Sequence, residues 1–345
     1  MPQIDERQLK QNIKEQKFAR IYFIFGEEGY LKQYYSELIS KKCVMEGMEG
    51  FNFKKYDATD GNTFDDVQAA AQTLPAFGGY ACVIARNFAL DTIFSSDKTG
   101  FSDFIKDIPD TTVLIFWQDT IEINLKKNGK YKSVADLISK YGDTVCFDRM
   151  DRASLLKMLI SGASKRSCQL DKTAALYLLE VVGDDLTTLQ NELDKLCNFK
   201  KEDTIEKSDI DAICIKSFEA NIFDLSRAIT GNNGQKAFAI LEKLLADKEK
   251  PELILGTLIA SYVDKYRAKI SIAAGEKSDF AASCYNYKNK EFRLRNAARD
   301  CSKLSIGDLK NSLDKLNSAD RKLKTRVIDE KIILEKLLIE LLRSE

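Results

Sequence analysis

Ile21-Tyr-Phe-Ile-Phe-Gly26-Glu-Glu-Gly-Tyr-Leu-Lys-Gln33 is the stretch that decides the fold. It reads as a buried strand over Ile21–Phe25, a tight Gly26–Gly29 loop and the start of a helix. Nucleotide-binding α/β domains place their phosphate loop at this junction. A working loop needs Gly-x-x-x-x-Gly-Lys-Ser/Thr. Its backbone N–H groups cradle the phosphates, the lysine meets the β/γ-phosphates, and the hydroxyl holds Mg²⁺. Here Glu27 and Glu28 stand in the loop, where they repel phosphate, and Gly-Lys-Ser/Thr occurs nowhere in the chain. The stretch describes an NTPase-type scaffold without NTPase chemistry.

Outward from it, short apolar runs recur at Phe51–Tyr56, Tyr80–Ala85, Thr112–Trp117 and Thr144–Phe147. Helical patterns separate them, as in Leu31–Met45, Thr63–Leu74 and Val134–Tyr141. Strands alternating with helices predict an α/β domain whose parallel sheet is covered on both faces. An NTPase of this design also needs an acidic pair at the end of a central strand to handle Mg²⁺ and water. The third strand ends Val83-Ile84-Ala85-Arg86-Asn87, with no carboxylate. The fourth ends Phe116-Trp117-Gln118-Asp119, a polar pair that fits either a site or ordinary loop chemistry.

After Asp148 the strand signal stops. Ala153–Lys165, Asp171–Val182 and Leu186–Phe199 carry apolar residues at three- and four-residue spacing, and a short helix starts at Ser208. Asp171 suits an N-cap, and Gly183 a helix end. From 215 on the pattern is helical throughout: Phe223–Thr230, Gly234–Lys248, Glu252–Ala274, Phe292–Lys303, Ser305–Leu316 and Asp329–Arg343. Leu253, Leu255, Leu258, Ile259 and Val263 make an apolar face wider than a lone amphipathic helix needs, which suits oligomer contacts. Three regions follow: 1–147 (α/β), 148–214 (a small helical bundle) and 215–345 (all-α).

Composition narrows the chemistry. A chain of 345 residues exceeds one ordinary core. The absence of histidine removes the commonest general base and metal ligand, and with them zinc, Ser-His and Cys-His catalysis. The 8 cysteines form no C-x-x-C pair and read as reduced thiols. No apolar run approaches the roughly 18 residues of a membrane span, and no apolar signal core opens the chain. A cytoplasmic protein is expected. Residues 215–345 carry 25 Lys/Arg against 19 Asp/Glu, a net of +6, and residues 1–214 carry 28 against 34, a net of −6. The third region therefore either faces something anionic or is ordinarily solvated.

Two constellations stand out. In Gln72-Thr-Leu-Pro-Ala-Phe-Gly-Gly-Tyr80, Pro75 stiffens the helix exit and Gly78-Gly79 allow a sharp turn. Leu74 and Phe77 then either fold back into the core or form an exposed apolar plug with Pro75 and Ala76. In the third region, Lys288, Lys290, Arg293, Arg295 and Arg299 form one basic cluster. Arg321, Lys322, Lys324 and Arg326 form another. Such clusters contact phosphates or sit in salt-bridged faces.

Taken in order, these segments resemble the delta subunits of the bacterial DNA polymerase III clamp loader. The resemblance rests on Tyr22-Phe-Ile-Phe-Gly26-Glu27-Glu28-x-Tyr-Leu31, Thr73-Leu-Pro-Ala-Phe77-Gly and the strand end Arg86-Asn87. It extends through Gly183-Asp-Asp-Leu186, Asn191-Glu192-Leu-Asp-Lys195-Leu196 and Asn221-Ile-Phe223-Asp224-Leu225 to Glu291-Phe-Arg-Leu-Arg295 and Asp320-Arg-Lys-Leu-Lys324-Thr325. It implies an AAA+-like domain without nucleotide, a small helical lid at 148–214 and a helical collar at 215–345. It also implies a subunit that opens the sliding clamp for loading onto primed DNA, uses no cofactor and hydrolyses no ATP. The expected clamp contacts are Leu74, Pro75, Ala76 and Phe77. Other loader subunits meet the collar, and DNA contacts are assigned to Lys290, Arg293, Arg295, Arg299, Lys322 and Lys324. Family members often carry a Pro-Phe-Phe run at the clamp contact; here its middle position is Ala76, which shifts the contact onto Leu74 and Phe77. The alternative is a degenerate AAA+-type regulatory adaptor with another partner.

Overall fold

The computed structural model describes residues 4–121, 123–125, 127–287, 290–325 and 329–342. Lys288 and Arg326 of the basic clusters, and Arg343 at the end of the last expected helix, lie outside the described residues. The chain divides into two compact units, 1–150 and 151–345.

In the first unit β1 (Ile21–Phe25), β2 (Phe53–Asp57), β3 (Ala81–Arg86), β4 (Thr112–Trp117) and β5 (Asp143–Cys146) form one sheet in the order β2-β3-β4-β1-β5. Every pairing is parallel, with Tyr22 beside Ile115 on one side and Asp143 on the other. The strand alternation sorts the core into two layers. Phe23, Phe25, Val83, Leu114 and Phe116 pack with Phe101, Phe104, Val134 and Ile138. Tyr22, Ile24, Ile84, Val113 and Val145 pack with Leu9, Tyr35 and Ile39. A sheet buried on both faces explains why its strands read as continuous apolar runs.

The helices of this unit are α1 (Glu6–Lys14), α2 (Gly29–Cys43), α3 (Glu49–Asn52), α4 (Phe64–Ala71), α5 (Leu90–Ser96), α6 (Lys98–Lys106) and α7 (Gly129–Ile138). A capping box of Thr63 and Asp66 starts α4. The sequence reading missed α1, α5 and α6. Half the residues of the last two are Ser, Thr, Asp or Gly, weak helix formers in isolation, and α6 relies on an Asp97 cap. It also placed Phe51 and Asn52 in a strand, whereas they end α3.

The second unit contains α8 (Arg152–Lys165), α9 (Lys172–Val182), α10 (Leu186–Lys200), α11 (Lys207–Ile213), α12 (Phe218–Thr230), α13 (Gly234–Ala246), α14 (Pro251–Ala273), α15 (Ala281–Cys284), α16 (Phe292–Asp300), α17 (Ile306–Thr325) and α18 (Glu330–Leu342). A parallel pair of two-residue strands, Gln169–Leu170 and Thr204–Ile205, sits among them; two residues are too few to show a period. Ser217 accepts from Ala220 N–H and starts α12 five residues before its apolar pattern becomes clear at Phe223. The apolar core here gathers Leu225, Ile229, Leu241, Leu255, Leu258, Leu316 and Leu337. It encloses a polar trio. The Lys265 ammonium lies 2.5 Å from Ser226 Oγ and 3.1 Å from Ser261 Oγ. Burial pulls its pKa down to about 8. Among the described residues no helix is long and apolar enough to cross a membrane.

Candidate functional site

The 72–80 connection runs from the end of α4 to the start of β3, so it lies at the amino end of the parallel sheet. Thr73 closes the helix, its hydroxyl donating to Ala69 C=O at 2.9 Å. Beyond it Leu74 is 70% exposed and Phe77 79% exposed. The apolar residues project; they do not fold back. The turn is made by three successive left-handed residues: Phe77 (φ 61°), Gly78 (φ 89°) and Gly79 (φ 76°). Glycine accepts that conformation freely, but phenylalanine does so at a cost.

A second connection supports the first. Asn52, almost fully buried at the end of α3, donates from Nδ2 to Ala76 C=O at 3.0 Å and accepts from Ala76 N–H at 2.8 Å. Beside it Phe51 is largely exposed and sets its ring edge-on to Phe77, centroids 6.4 Å apart. Met45 is half-exposed, and a side chain at Gly79 would meet its Cβ at 3.9 Å. Phe51 and Phe77 thus meet across two connections, with the exposed Leu74 on the same loop as Phe77 and Met45 beside Gly79. The sequence reading missed Phe51 and Asn52, because the partners are 24 residues apart and only the register of β2 on β3 brings them together.

The carboxyl end of the sheet differs. Gly26 has φ 113°, and a Cβ there would come 2.3 Å from the Phe147 carbonyl oxygen. Glu28 N–H donates to that same carbonyl at 2.8 Å. Lys32 is buried, and its ammonium donates to the carbonyls of Gly26 (2.8 Å) and Gln118 (2.7 Å). Burial pulls its pKa down, while the nearby Asp119 and Glu28 carboxylates push the other way. Gln118 Nε2 donates to Phe88 C=O, and Asn87 Oδ1 accepts from the N–H groups of Asp119 and Thr120. Arg86 lies over the Trp117 ring and bridges Asp57 (3.4 Å) and Asp119 (2.6 Å). The Gln118-Asp119 pair therefore serves loop structure. A Glu28 N–H and a lysine ammonium, the kinds of donor a phosphate loop offers to nucleotide, are engaged within the chain. Nothing in the sequence around Lys32 distinguished it from an ordinary helix lysine.

The basic candidates of the second unit are mostly paired. Arg293 bonds Asp264 at 2.8 Å and lies over Phe223. Arg295 bonds Asp279 at 2.6 Å, and Lys324 bonds Asp320 at 2.6 Å. Lys290 and Arg299 make longer contacts, to Asp184 at 3.6 Å and Asp300 at 3.9 Å. Lys322 is exposed, with no carboxylate at ion-pair distance among the described residues. Within those residues no cluster of acidic, cysteine or histidine side chains could hold a metal ion.

With this geometry in hand, comparison with known proteins gives a consistent result. The family model for the DNA polymerase III delta subunit matches residues 22–140. The model for the C-terminal domain of the same subunit matches residues 219–341. DNA polymerase III subunit delta of Bacillus subtilis is 23% identical over 341 residues, 96% of this chain and 95% of its own length. A probable DNA polymerase III subunit delta of Aquifex aeolicus is 21% identical over 284 residues, 80% of this chain and 78% of its own. The solved Bacillus subtilis DNA clamp loader delta protein superposes with a TM-score of 0.59 at 22% identity, covering 98% of this chain and 99% of that one. The parallel sheet with its flanking helices is an AAA+-like fold. The chain belongs to the DNA polymerase III delta-subunit family.

Proposed function

We propose that this chain binds the sliding clamp through Leu74, Pro75, Ala76 and Phe77 and opens the ring for loading onto primed DNA. The observation that carries this reading is the outward projection of Leu74 and Phe77 from a held loop. Ring opening needs differential affinity for one clamp conformation and no covalent chemistry. Burying two such side chains in a partner's pocket contributes roughly 3–6 kcal/mol, from which association costs are subtracted.

In this reading the chain works in the cytoplasm and has no active site of its own. Its phosphate-loop equivalent is engaged internally by Lys32 and Phe147. Residues 148–214 act as lid and 215–345 as collar, where the other loader subunits dock. Contacts to primed DNA fall to Lys290, Arg293, Arg295, Arg299, Lys322 and Lys324.

The test is affinity for the sliding clamp of the same organism. Leu74→Ser with Phe77→Ser is expected to weaken binding at least about tenfold, equal to roughly 1.4 kcal/mol, with the thermal midpoint nearly unchanged. Unchanged affinity in the folded variant would remove the loop from the contact.

A further inference from the structure

Asn52 holds the loop in a way that serves the loop and little else. Its side-chain amide carries the same donor and acceptor as a peptide group. It meets Ala76 with both, at 3.0 and 2.8 Å. Asn52 immediately precedes β2, and the loop leads into β3, whose pairing with β2 begins at Phe53 and Cys82. The amide thus forms a side-chain rung between the start of β2 and the loop that leads into β3.

The residue after that rung is Phe77, in a left-handed conformation disfavoured for any side chain with a Cβ. The next two are glycines with positive φ, which hold no conformation by themselves. The exposed Leu74 and Phe77 side chains bury little area that could fix the loop from within. The Asn52 clasp and the Phe51 ring edge are the contacts at hand to do so.

We propose that Asn52 is a positioning residue for the Leu74–Phe77 plug, its amide clasping the Ala76 peptide so that the two anchors are set before the clamp arrives. This rests on the clamp-binding reading above. Preorganisation of this kind raises affinity by removing the ordering cost from the binding step.

Three measurements on the full chain decide it: clamp affinity, thermal midpoint and hydrogen exchange at the Ala76 amide. Asn52→Ala is expected to weaken clamp binding about tenfold, the scale of losing two hydrogen bonds from one site. Exchange at Ala76 N–H should accelerate, with the midpoint little changed. Asn52→Asp keeps the acceptor for that N–H but loses the donor to the carbonyl; it should retain the protection and bind with intermediate affinity. In the Leu74→Ser, Phe77→Ser background, Asn52→Ala should cost almost nothing further, because the clasp acts through the two anchors.

Clamp affinity unchanged in Asn52→Ala overturns the proposal, as does a full additional loss in the Leu74→Ser, Phe77→Ser background. If Asn52→Ala fails to fold, Asn52→Asp carries the test, and undiminished clamp binding by that variant overturns it. The two readings fail separately. Loss of binding on Leu74→Ser with Phe77→Ser, but not on Asn52→Ala, removes positioning alone. Binding untouched by both removes the clamp contact itself, while the Ala76 exchange rate still reports the clasp.

Discussion

At its carboxyl end the sheet of the first unit is shut; at its amino end it is open. The Gly26–Gly29 connection turns the Glu28 N–H inward onto Phe147, and Lys32 of α2 reaches back to the carbonyls of Gly26 and Gln118. The 72–80 connection turns Leu74 and Phe77 outward. Both use glycine at positive φ, for opposite ends. At Gly26 the conformation brings backbone against backbone, and at Gly78 it surrounds the residue with open space. One AAA+-like scaffold can thus close the end where relatives with full phosphate loops bind nucleotide and present a surface at the other.

The largest expected effect breaks the closed end. Gly26→Ala places a methyl group 2.3 Å from the Phe147 oxygen in a conformation that resists side chains. Chemical denaturation should show a loss of at least about 3 kcal/mol. Next comes Lys32→Met, which leaves the Gly26 and Gln118 carbonyls without their donor and should cost about 2 kcal/mol. It also changes the pH profile. The folded pKa of Lys32 lies below the ordinary lysine value of 10.5, so between the two the unfolded chain binds more protons and stability rises with pH. The difference in stability between wild type and Lys32→Met should therefore grow over that window; a flat difference would show that the ammonium is not strained by burial. Calorimetry should detect no ATP binding in either protein. The smallest effect on stability belongs to the open end. Leu74→Ser with Phe77→Ser should move it by no more than about 0.5 kcal/mol, however much clamp affinity falls.

Much of the first unit was legible because its strands are buried on both faces. Ile21–Phe25 and Thr112–Trp117 are continuous apolar runs, and the structure begins and ends them at the expected residues. What the sequence withheld was long-range. Composition could not say whether Leu74 and Phe77 project, since the answer depends on the Asn52 amide and on an αL phenylalanine. The departure from a phosphate-loop sequence was visible in Glu27 and Glu28, but the inward-turned Lys32 was not, because its acceptors lie on Gly26 and on Gln118, 86 positions away. Basic clusters were visible as charge, whereas Asp264, the carboxylate partner of Arg293, arrives from another helix.

An exposed apolar cluster has a colloidal consequence as well. The chain has a formal net charge of +0 and a pI near 6.5, so no long-range repulsion keeps copies apart near neutral pH. Two free molecules meeting at Phe51, Leu74 and Phe77 have every reason to stick. Solubility of the isolated chain should pass through a minimum near its pI and rise on either side. The Leu74→Ser, Phe77→Ser variant should shallow that minimum, measured as the protein remaining in solution after concentration. A surface shaped to be covered makes the free chain the form most prone to self-association.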